Sequence, residues 1–157
     1  MYKFIGTIFC VLVFIACEET PFYDQIISIP NSEWSYDFKP EFKVAATDTS
    51  QMYDLFLNID HNTSYSFENL YLKITTSFPK SNSKEETLSI DLAEKIGQWV
   101  GDCNSQKCTT KVYLLESFKF GDPGEYVFTI EQFSRQDKLK DINSLELQIF
   151  EQSKSTK

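Results

Sequence analysis

The chain has 157 residues, with 15 Lys and Arg against 23 Asp and Glu, and its formal net charge at pH 7 is −8. This acidic balance repels nucleic acid and anionic head groups, which excludes a nucleic-acid partner held by charge. The length fits one domain with a hydrophobic core. The 14 Phe and 8 Tyr, beside only 5 Gly and 5 Pro, favour β-strands over helices or disorder.

The first 17 residues have the order of a bacterial lipoprotein export signal. Lys3 precedes an apolar run over residues 4–16, which ends in Phe14-Ile15-Ala16-Cys17. The run has 13 residues, whereas a helix that crosses a hydrocarbon core needs about 20. A cysteine directly after a small residue predicts cleavage before Cys17 and lipidation of its thiol. The alternative is a buried cysteine that opens a core helix, but residues 18–21 are polar and continue no helical pattern.

The predicted organisation has four parts. Residues 1–16 are the signal peptide, residues 17–32 a lipidated tether, residues 33–150 a β-sandwich domain and residues 151–157 a flexible tail. Because the signal contains no acidic residue, the mature chain keeps all 23 acidic residues. Its contact with the lipid bilayer must therefore come from the acylated Cys17, and two or more acyl chains make a stable anchor.

Apolar side chains alternate with polar ones from Glu33 onward, which is the period of a strand with one buried face. The alternation defines about eight short strands, separated by polar, Gly, Pro or Asn breaks, with apolar sets at residues 34–38, 42–46, 53–59, 70–74, 88–90, 112–114, 126–130 and 145–149. No βαβ rhythm appears. The fold class predicted is all-β, an antiparallel two-sheet sandwich of jelly-roll or immunoglobulin-like type.

Two local features qualify this prediction. Residues 91–97 have helical composition, with Asp91 as a cap and Gly97 as a left-handed end, and they predict at most one short connector helix. Tyr126 follows Gly124 into a strand after a turn. It is either a tyrosine corner, whose phenol bonds back to the turn, or an ordinary strand aromatic.

Cys103 and Cys108 are the two cysteines left for the folded domain, since Cys10 lies in the signal and Cys17 is the anchor. An exported chain meets an oxidising compartment, so we predict a local disulfide between them. A metal site is the weaker alternative, because no further Cys or clustered His is available.

The sequence shows no catalytic constellation, and we predict a protein that is not an enzyme and holds no metal or cofactor. The one histidine, His61, is preceded by Asp60, and neighbouring strand residues point to opposite faces, so the two do not form an acid–base pair. No Gly-x-Ser-x-Gly elbow, zinc ligand set, calcium loop or phosphate loop is present. Several Asp at loop tips leave calcium less excluded than zinc, although a solvated acidic surface is the better reading.

Aromatic side chains are the remaining candidates for function. Tyr65, Phe67 and Tyr71 cluster after His61, and Trp99 lies between Gly97 and Gly101. Aromatics on loops stack on sugars or anchor a protein partner, whereas aromatics beneath loops belong to the core. We take His61, Tyr65, Phe67, Tyr71 and Trp99 as possible partner contacts, with the core reading left open.

Three blocks of the chain resemble the gliding motility lipoprotein GldH family of Bacteroidetes. They are residues 53–71, which begin Tyr-Asp-Leu-Phe-Leu-Asn-Ile, then Leu92-Ala93 with Gly97-Gln98-Trp99-Val100-Gly101, and Pro123-Gly124-Glu125-Tyr126-Val127-Phe128-Thr129-Ile130-Glu131-Gln132 with Arg135 and Leu139. The final strand over residues 142–149 also fits. The pattern departs at Asp60, where the family often has a basic residue.

The resemblance implies a non-enzymatic lipoprotein of the cell envelope that gliding requires, facing the periplasm or the cell surface. It also implies partners among the other gliding proteins or the type IX secretion machinery, and it offers no catalytic residues. A surface carbohydrate-binding or adhesin-type module is the alternative function, with the same aromatic side chains as contacts.

Overall fold

The computed structural model describes residues 19–153, so the predicted signal peptide, Cys17 and most of the predicted tail lie outside the described residues. Eleven strands are present in this part of the chain. Their bounds are β1 Tyr23–Ser28, β2 Glu33–Ser35, β3 Glu41–Ala46, β4 Tyr53–Asn62, β5 Asn69–Ser77, β6 Lys84–Asp91, β7 Asp102–Cys103, β8 Lys107–Phe118, β9 Gly124–Gln132, β10 Lys138–Lys140 and β11 Ile142–Glu151. A single 3₁₀ turn, Pro30–Ser32, separates β1 from β2.

Two antiparallel sheets form the body of the domain. One has the strand order β1-β11-β4-β8-β7 and the other the order β3-β9-β5-β6, while β10 and β2 pair as a small separate ribbon. The eight longer strands are shared equally between the two sheets, and the chain crosses between them in the order of a jelly roll. The all-β sandwich prediction is therefore confirmed, in its jelly-roll form.

The core lies between the two sheets, because the alternating apolar side chains of both point inward. From β4, the side chains of Tyr53, Leu55, Leu57 and Ile59 are almost fully buried. Facing them from the other sheet are Phe42, Val44, Leu70, Leu72, Phe128 and Ile130. Burial at about 25 cal/mol per Å² of apolar surface makes this interior the main stabilising term of the fold.

The tyrosine-corner reading of Tyr126 agrees with the structure. Its hydroxyl donates to the carbonyl oxygen of Asp122 at 3.0 Å and accepts from the Asp122 backbone N–H at 3.0 Å. The phenol thereby joins the turn before β9 to the strand itself. Its ring also packs on Phe120, with ring centroids 4.7 Å apart.

The tether predicted over residues 17–32 is shorter in the structure. Tyr23–Ser28 form β1 and pair with β11 along six residue pairs, from Tyr23↔Ile149 to Ser28↔Ser144. Phe22 packs on Tyr53, with ring centroids 5.1 Å apart. The aromatic side chains of Phe22 and Tyr23 hold this segment on the domain, because their apolar surface is covered there.

The connector helix predicted over residues 91–97 does not form. Asp91 ends β6, and Leu92 and Ala93 both donate their backbone N–H to the carbonyl oxygen of Glu68, at 2.8 and 3.0 Å. A turn follows and brings Ala93 into a bridge with Trp99. Gly97 has a φ of +78°, so the left-handed conformation is found at that glycine, in a turn and not at a helix end.

The sandwich has two distinct ends. At the base, Tyr53 of β4 lies beside Phe118 and Glu151, and the chain from Phe22 enters there. At the distal end, β4 finishes at Asn62. Nine residue steps of about 3.3 Å separate Tyr53 from Asn62, so the two ends lie about 30 Å apart.

Candidate functional site

A groove opens at the distal end, on the outer side of the four-stranded sheet, with a volume of about 610 Å³. We call it the distal groove. It lies between the start of β5, a neighbouring part of β6, the loop after β4 and the loop after β9. Its aromatic and apolar lining consists of Tyr65, Phe67, Tyr71, Phe133 and Leu139, and its polar lining of Asn69, Thr87, Ser134, Arg135 and Gln136.

Three aromatic rings of the groove are exposed to solvent. Phe67 is 41%, Tyr71 44% and Phe133 54% exposed. Isolated surface aromatics are ordinary, but a cluster of them in a concavity is the usual mark of a binding surface. The rings have a reason to lie together, because β5 pairs with β9 and Phe133 donates its N–H to the carbonyl oxygen of Tyr71 at 2.8 Å.

Tyr65 forms the buried floor of the groove. It is 5% exposed, and its ring contacts that of Phe67 with centroids 5.6 Å apart. Burial raises the pKa of Tyr65 to about 12, so the phenol stays protonated. Its hydroxyl donates to the carbonyl oxygen of Asn69 at 3.4 Å, which ties the floor to the first residue of β5.

His61 and Trp99 lie behind this floor. The His61 ring is fully buried and contacts the ring of Tyr65 at 5.8 Å and that of Trp99 at 4.7 Å between centroids. Its Nδ1 lies 3.0 Å from the carbonyl oxygen of Asn62, and its Nε2 has no hydrogen-bond partner in the described chain. Both residues are absent from the groove lining, and His61 in particular is corrected from a partner contact to a core residue.

The loop after β9 is organised by the side chain of Gln132, which is 2% exposed. Its Oε1 accepts from the backbone N–H of Ser134 at 3.0 Å and from the Ser134 hydroxyl at 2.8 Å, and its Nε2 donates to the carbonyl oxygen of Gln136 at 2.9 Å. Tyr36 adds a hydrogen bond from its hydroxyl to the Ser134 carbonyl oxygen. These bonds fix the loop that presents Phe133 and Arg135.

The charge at the groove differs from that of the whole chain. No Asp or Glu within residues 19–153 lines the groove, while Arg135, the single arginine of the sequence, does. Arg135 is exposed, and it makes no ion pair with any residue in the described range 19–153. The guanidinium is permanently charged and offers a planar fork of donors.

Glu131 lies near the end of β9, just before this loop, and its carboxylate forms ion pairs with two lysines. Its carboxylate lies 2.8 Å from Lys39 Nζ and 3.4 Å from Lys73 Nζ. Burial alone raises the pKa of Glu131, but the hydrogen bonds and positive charges of the two lysines outweigh burial and hold the pKa below its ordinary value. The Glu131 carboxylate therefore pairs with these two lysines and not with Arg135.

A disulfide hairpin supports the other side of the groove. Cys103 and Cys108 are bonded, with Cα atoms 4.1 Å apart, and join β7 to β8. The hairpin loop accepts hydrogen bonds from Thr63. The N–H of Thr63 donates to the Gln106 carbonyl oxygen at 2.9 Å, and its hydroxyl lies 3.2 Å from the Ser105 and 3.3 Å from the Gln106 carbonyl oxygen. Thr63 stands two residues before Tyr65, so the hairpin positions the loop that carries the groove floor.

The groove lining is chemically suited to binding. It contains rings, amides, hydroxyls and one guanidinium, and among the residues that the structure describes no carboxylate, imidazole or thiol lines it. Within residues 19–153, no three His, Cys, Asp or Glu side chains converge closely enough to hold a metal ion. In the same part of the chain, no helix is long and apolar enough to cross a membrane.

A second cavity of about 630 Å³ lies at the base, and its surroundings are different. Glu19, Thr20 and Phe22 line it together with the end of β11, and its lining is more polar than that of the distal groove. It adjoins the point where the described chain begins. The base cavity therefore belongs to the junction with the N-terminal segment.

Comparison with known proteins assigns the chain to a family. A model described as GldH lipoprotein matches residues 21–149, which spans all the strands of the sandwich apart from the last residues of β11. The chain belongs to the GldH lipoprotein family.

Two relatives of this GldH family member are similar over most of their length. A protein of Christiangramia forsetii named gliding motility lipoprotein GldH homolog is 32% identical over 83% of this chain and 79% of its own. The gliding motility lipoprotein GldH of Flavobacterium johnsoniae is 28% identical over 86% of this chain and 84% of its own. The family resemblance seen in the sequence is thus confirmed.

Among solved structures, the chain is similar to that of TmCBM61 in complex with beta-1,4-galactotriose. The TM-score is 0.38 with 7% sequence identity, over 82% of this chain and 88% of the other. A similarity at that score does not indicate a shared ligand or function.

The distal groove of this GldH family member contains three of the five aromatic and histidine residues singled out in the sequence, namely Tyr65, Phe67 and Tyr71. Sequence reasoning missed Phe133 as a contact and gave Arg135 only as part of the family pattern. The sequence contains one signal that points to Phe133. The inward set Tyr126, Phe128, Ile130 continues to Gln132, so Phe133 is an apolar residue out of phase with its strand.

Proposed function

We propose that this chain is a non-catalytic subunit of the gliding apparatus, anchored to a membrane of the cell envelope through lipid on Cys17. In this proposal the distal groove binds another protein of the apparatus, and the assembly works alongside type IX secretion. The observation that carries the proposal is the placement of the groove at the end of the sandwich opposite the N-terminal entry.

The short link to the anchor supports this arrangement. Phe22 already packs on the domain, so five residue steps of at most about 3.6 Å join it to Cys17. That link spans at most about 18 Å, which keeps the base near the bilayer. The groove then lies at the end of the domain remote from the lipid, at a height set by the strand length of about 30 Å.

The composition of the groove supports protein recognition. Cores of protein interfaces are enriched in aromatic residues and Arg and depleted of Lys, Glu and Asp, and binding energy concentrates on Trp, Tyr and Arg. The groove has four aromatic residues and one Arg, and no Lys, Glu or Asp of the described part of the chain lines it.

Chromosomal replacement of single residues tests the proposal by colony spreading. We expect Cys17→Ser to abolish spreading, since the domain would fold without its anchor. We expect the double variant Tyr71→Ala/Phe133→Ala to reduce spreading severely, with normal protein level and normal lipidation. The matched control is Tyr113→Ala, which removes a ring that is 62% exposed on the other sheet, and it should spread normally.

Two results would contradict the proposal. Normal spreading of a Cys17→Ser strain that makes an unlipidated protein would show that anchoring is incidental. Normal spreading of the groove variant, at wild-type protein level, would remove the groove from the function. Immunoblots and labelling with a fatty-acid analogue report level and lipidation in each strain.

A further inference from the structure

We propose that the distal groove recognises an extended segment of a partner protein in which an aspartate or glutamate stands next to an aromatic or branched aliphatic side chain. The acidic side chain pairs with Arg135, and the apolar side chain packs among Phe67, Tyr71 and Phe133. This inference rests on the proposed function, because it names the chemistry of the partner that the groove binds.

The charge pattern argues for a carboxylate in the occupant. The chain carries 23 acidic residues and one arginine, and among residues 19–153 the arginine is the one charged side chain in the groove lining. Within the described residues Arg135 has no ion pair, so its donors are available. Arg pairs with carboxylates through two parallel hydrogen bonds, which are stronger and more directional than those of Lys.

The loop around Arg135 is already ordered for binding. The buried Gln132 side chain holds Ser134 and Gln136 by three hydrogen bonds, and no hydrogen bond of this set involves the side chain of Arg135. A loop fixed before binding reduces the conformational entropy lost in the complex. The hydrogen bonds of Gln132 therefore serve to present Phe133 and Arg135 together, at one wall of the groove.

The apolar part of the groove favours a protein over an acidic polysaccharide. Phe67 and Phe133 carry phenyl rings that are 41% and 54% exposed, and the exposed lining of the groove is more apolar than polar. An aromatic or aliphatic side chain covers such rings without leaving hydroxyl groups unpaired. A volume of about 610 Å³ accommodates a few side chains of an extended segment, not a folded domain.

Photo-crosslinking in living cells identifies the occupant. Thr87 lines the groove and is exposed, so p-benzoylphenylalanine at that position reports on bound segments without removing an aromatic ring or Arg135. We expect one crosslinked protein, whose crosslinked peptide carries Asp or Glu beside an aromatic or branched residue. A synthetic copy of that peptide is then titrated against the purified lipoprotein in detergent by fluorescence anisotropy.

The expected effects are specific to Arg135. Arg135→Gln should weaken peptide binding by at least about tenfold, Arg135→Glu should weaken it further, and Arg135→Lys should restore only part of the affinity. Replacing the acidic residue of the peptide by its amide should weaken binding to the wild type but leave Arg135→Gln unaffected. Lys119→Gln removes one positive charge at the base and should bind like the wild type.

The outcomes separate this inference from the proposed function. A crosslinked partner whose peptide binds equally well to Arg135→Gln would overturn the inference and leave docking at the groove intact. If position 87 crosslinks no protein in spreading cells, both the inference and the proposed docking function are wrong. Retardation of the lipoprotein by polygalacturonate in affinity gels, lost in Arg135→Gln and without any protein crosslink, would replace the partner protein by an acidic glycan.

Discussion

The disulfide between Cys103 and Cys108 gives the sharpest test of how the distal end is held together. It closes a loop of only six residues, counting both cysteines. The chain-entropy relation, with a constant of about 2.1 cal/mol/K plus 1.5R times the logarithm of loop length, yields about 2 kcal/mol at 25 °C. We therefore expect reduction to lower the free energy of unfolding by about 2 kcal/mol, a large fraction of the stability of an ordinary domain.

Urea unfolding with and without dithiothreitol measures this difference, because reduction leaves both sulfur atoms in place and removes only the crosslink. Tryptophan fluorescence reports the global transition, since Trp34 is fully buried and donates from Nε1 to the Phe38 carbonyl oxygen at 2.9 Å. The variant Cys103→Ala/Cys108→Ala is the control and should not respond to dithiothreitol. A difference below about 0.5 kcal/mol in the wild type would refute the chain-entropy reasoning.

Three further predictions concern single side chains. Gly101→Ala should lower the free energy of unfolding in urea by at least about 2 kcal/mol, since φ is +114° and a Cβ would lie 2.3 Å from a backbone oxygen of β8. Gly121→Ala is the control, and with open space around it the free energy of unfolding should hardly change. Tyr126→Phe should cost about 1–3 kcal/mol in thermal unfolding, because it removes both hydrogen bonds to the Asp122 backbone; an unchanged midpoint would show that the corner is dispensable. Glu131→Gln should lower stability at pH 7. Because the folded state holds the pKa of this carboxyl below 4.5, its contribution is present above that value and is lost as pH falls through the lower folded pKa. The stability gap between variant and wild type should therefore narrow as pH falls below 4.5, and a constant gap would contradict the assignment.

Alternation of apolar residues predicts most of the sandwich because burial of one sheet face imposes a period of two. The prediction fails at β1, where Ile26 and Ile27 are adjacent and Ile26 is 62% exposed, so the strand has no readable period. It fails again after β6. The helical propensity of residues 91–97 is overridden because the backbone N–H groups of Leu92 and Ala93 bond to Glu68, a partner more than twenty residues earlier in the chain.

Part of the candidate site can be predicted from the sequence and part cannot, and the strand pairing explains the difference. Tyr65, Phe67 and Tyr71 are close in sequence, so their clustering is visible at once. Phe133 and Arg135 come more than sixty residues later, and only the pairing of β5 with β9 brings them to the same groove. His61 and Trp99 look similar to the others in the sequence, yet their rings contact that of Tyr65 and do not line the groove.

The pairing of β1 with β11 has a mechanical consequence. With lipid on Cys17 and a partner on the distal groove, tension between the two runs along β1, parallel to the strand. The hydrogen bonds of an antiparallel ladder lie perpendicular to the strands, so six residue pairs from Tyr23 to Ser28 are sheared together and do not open one after another like a zipper. In the arrangement we propose, β1 thus distributes a pulling force over its full length before the force reaches the core.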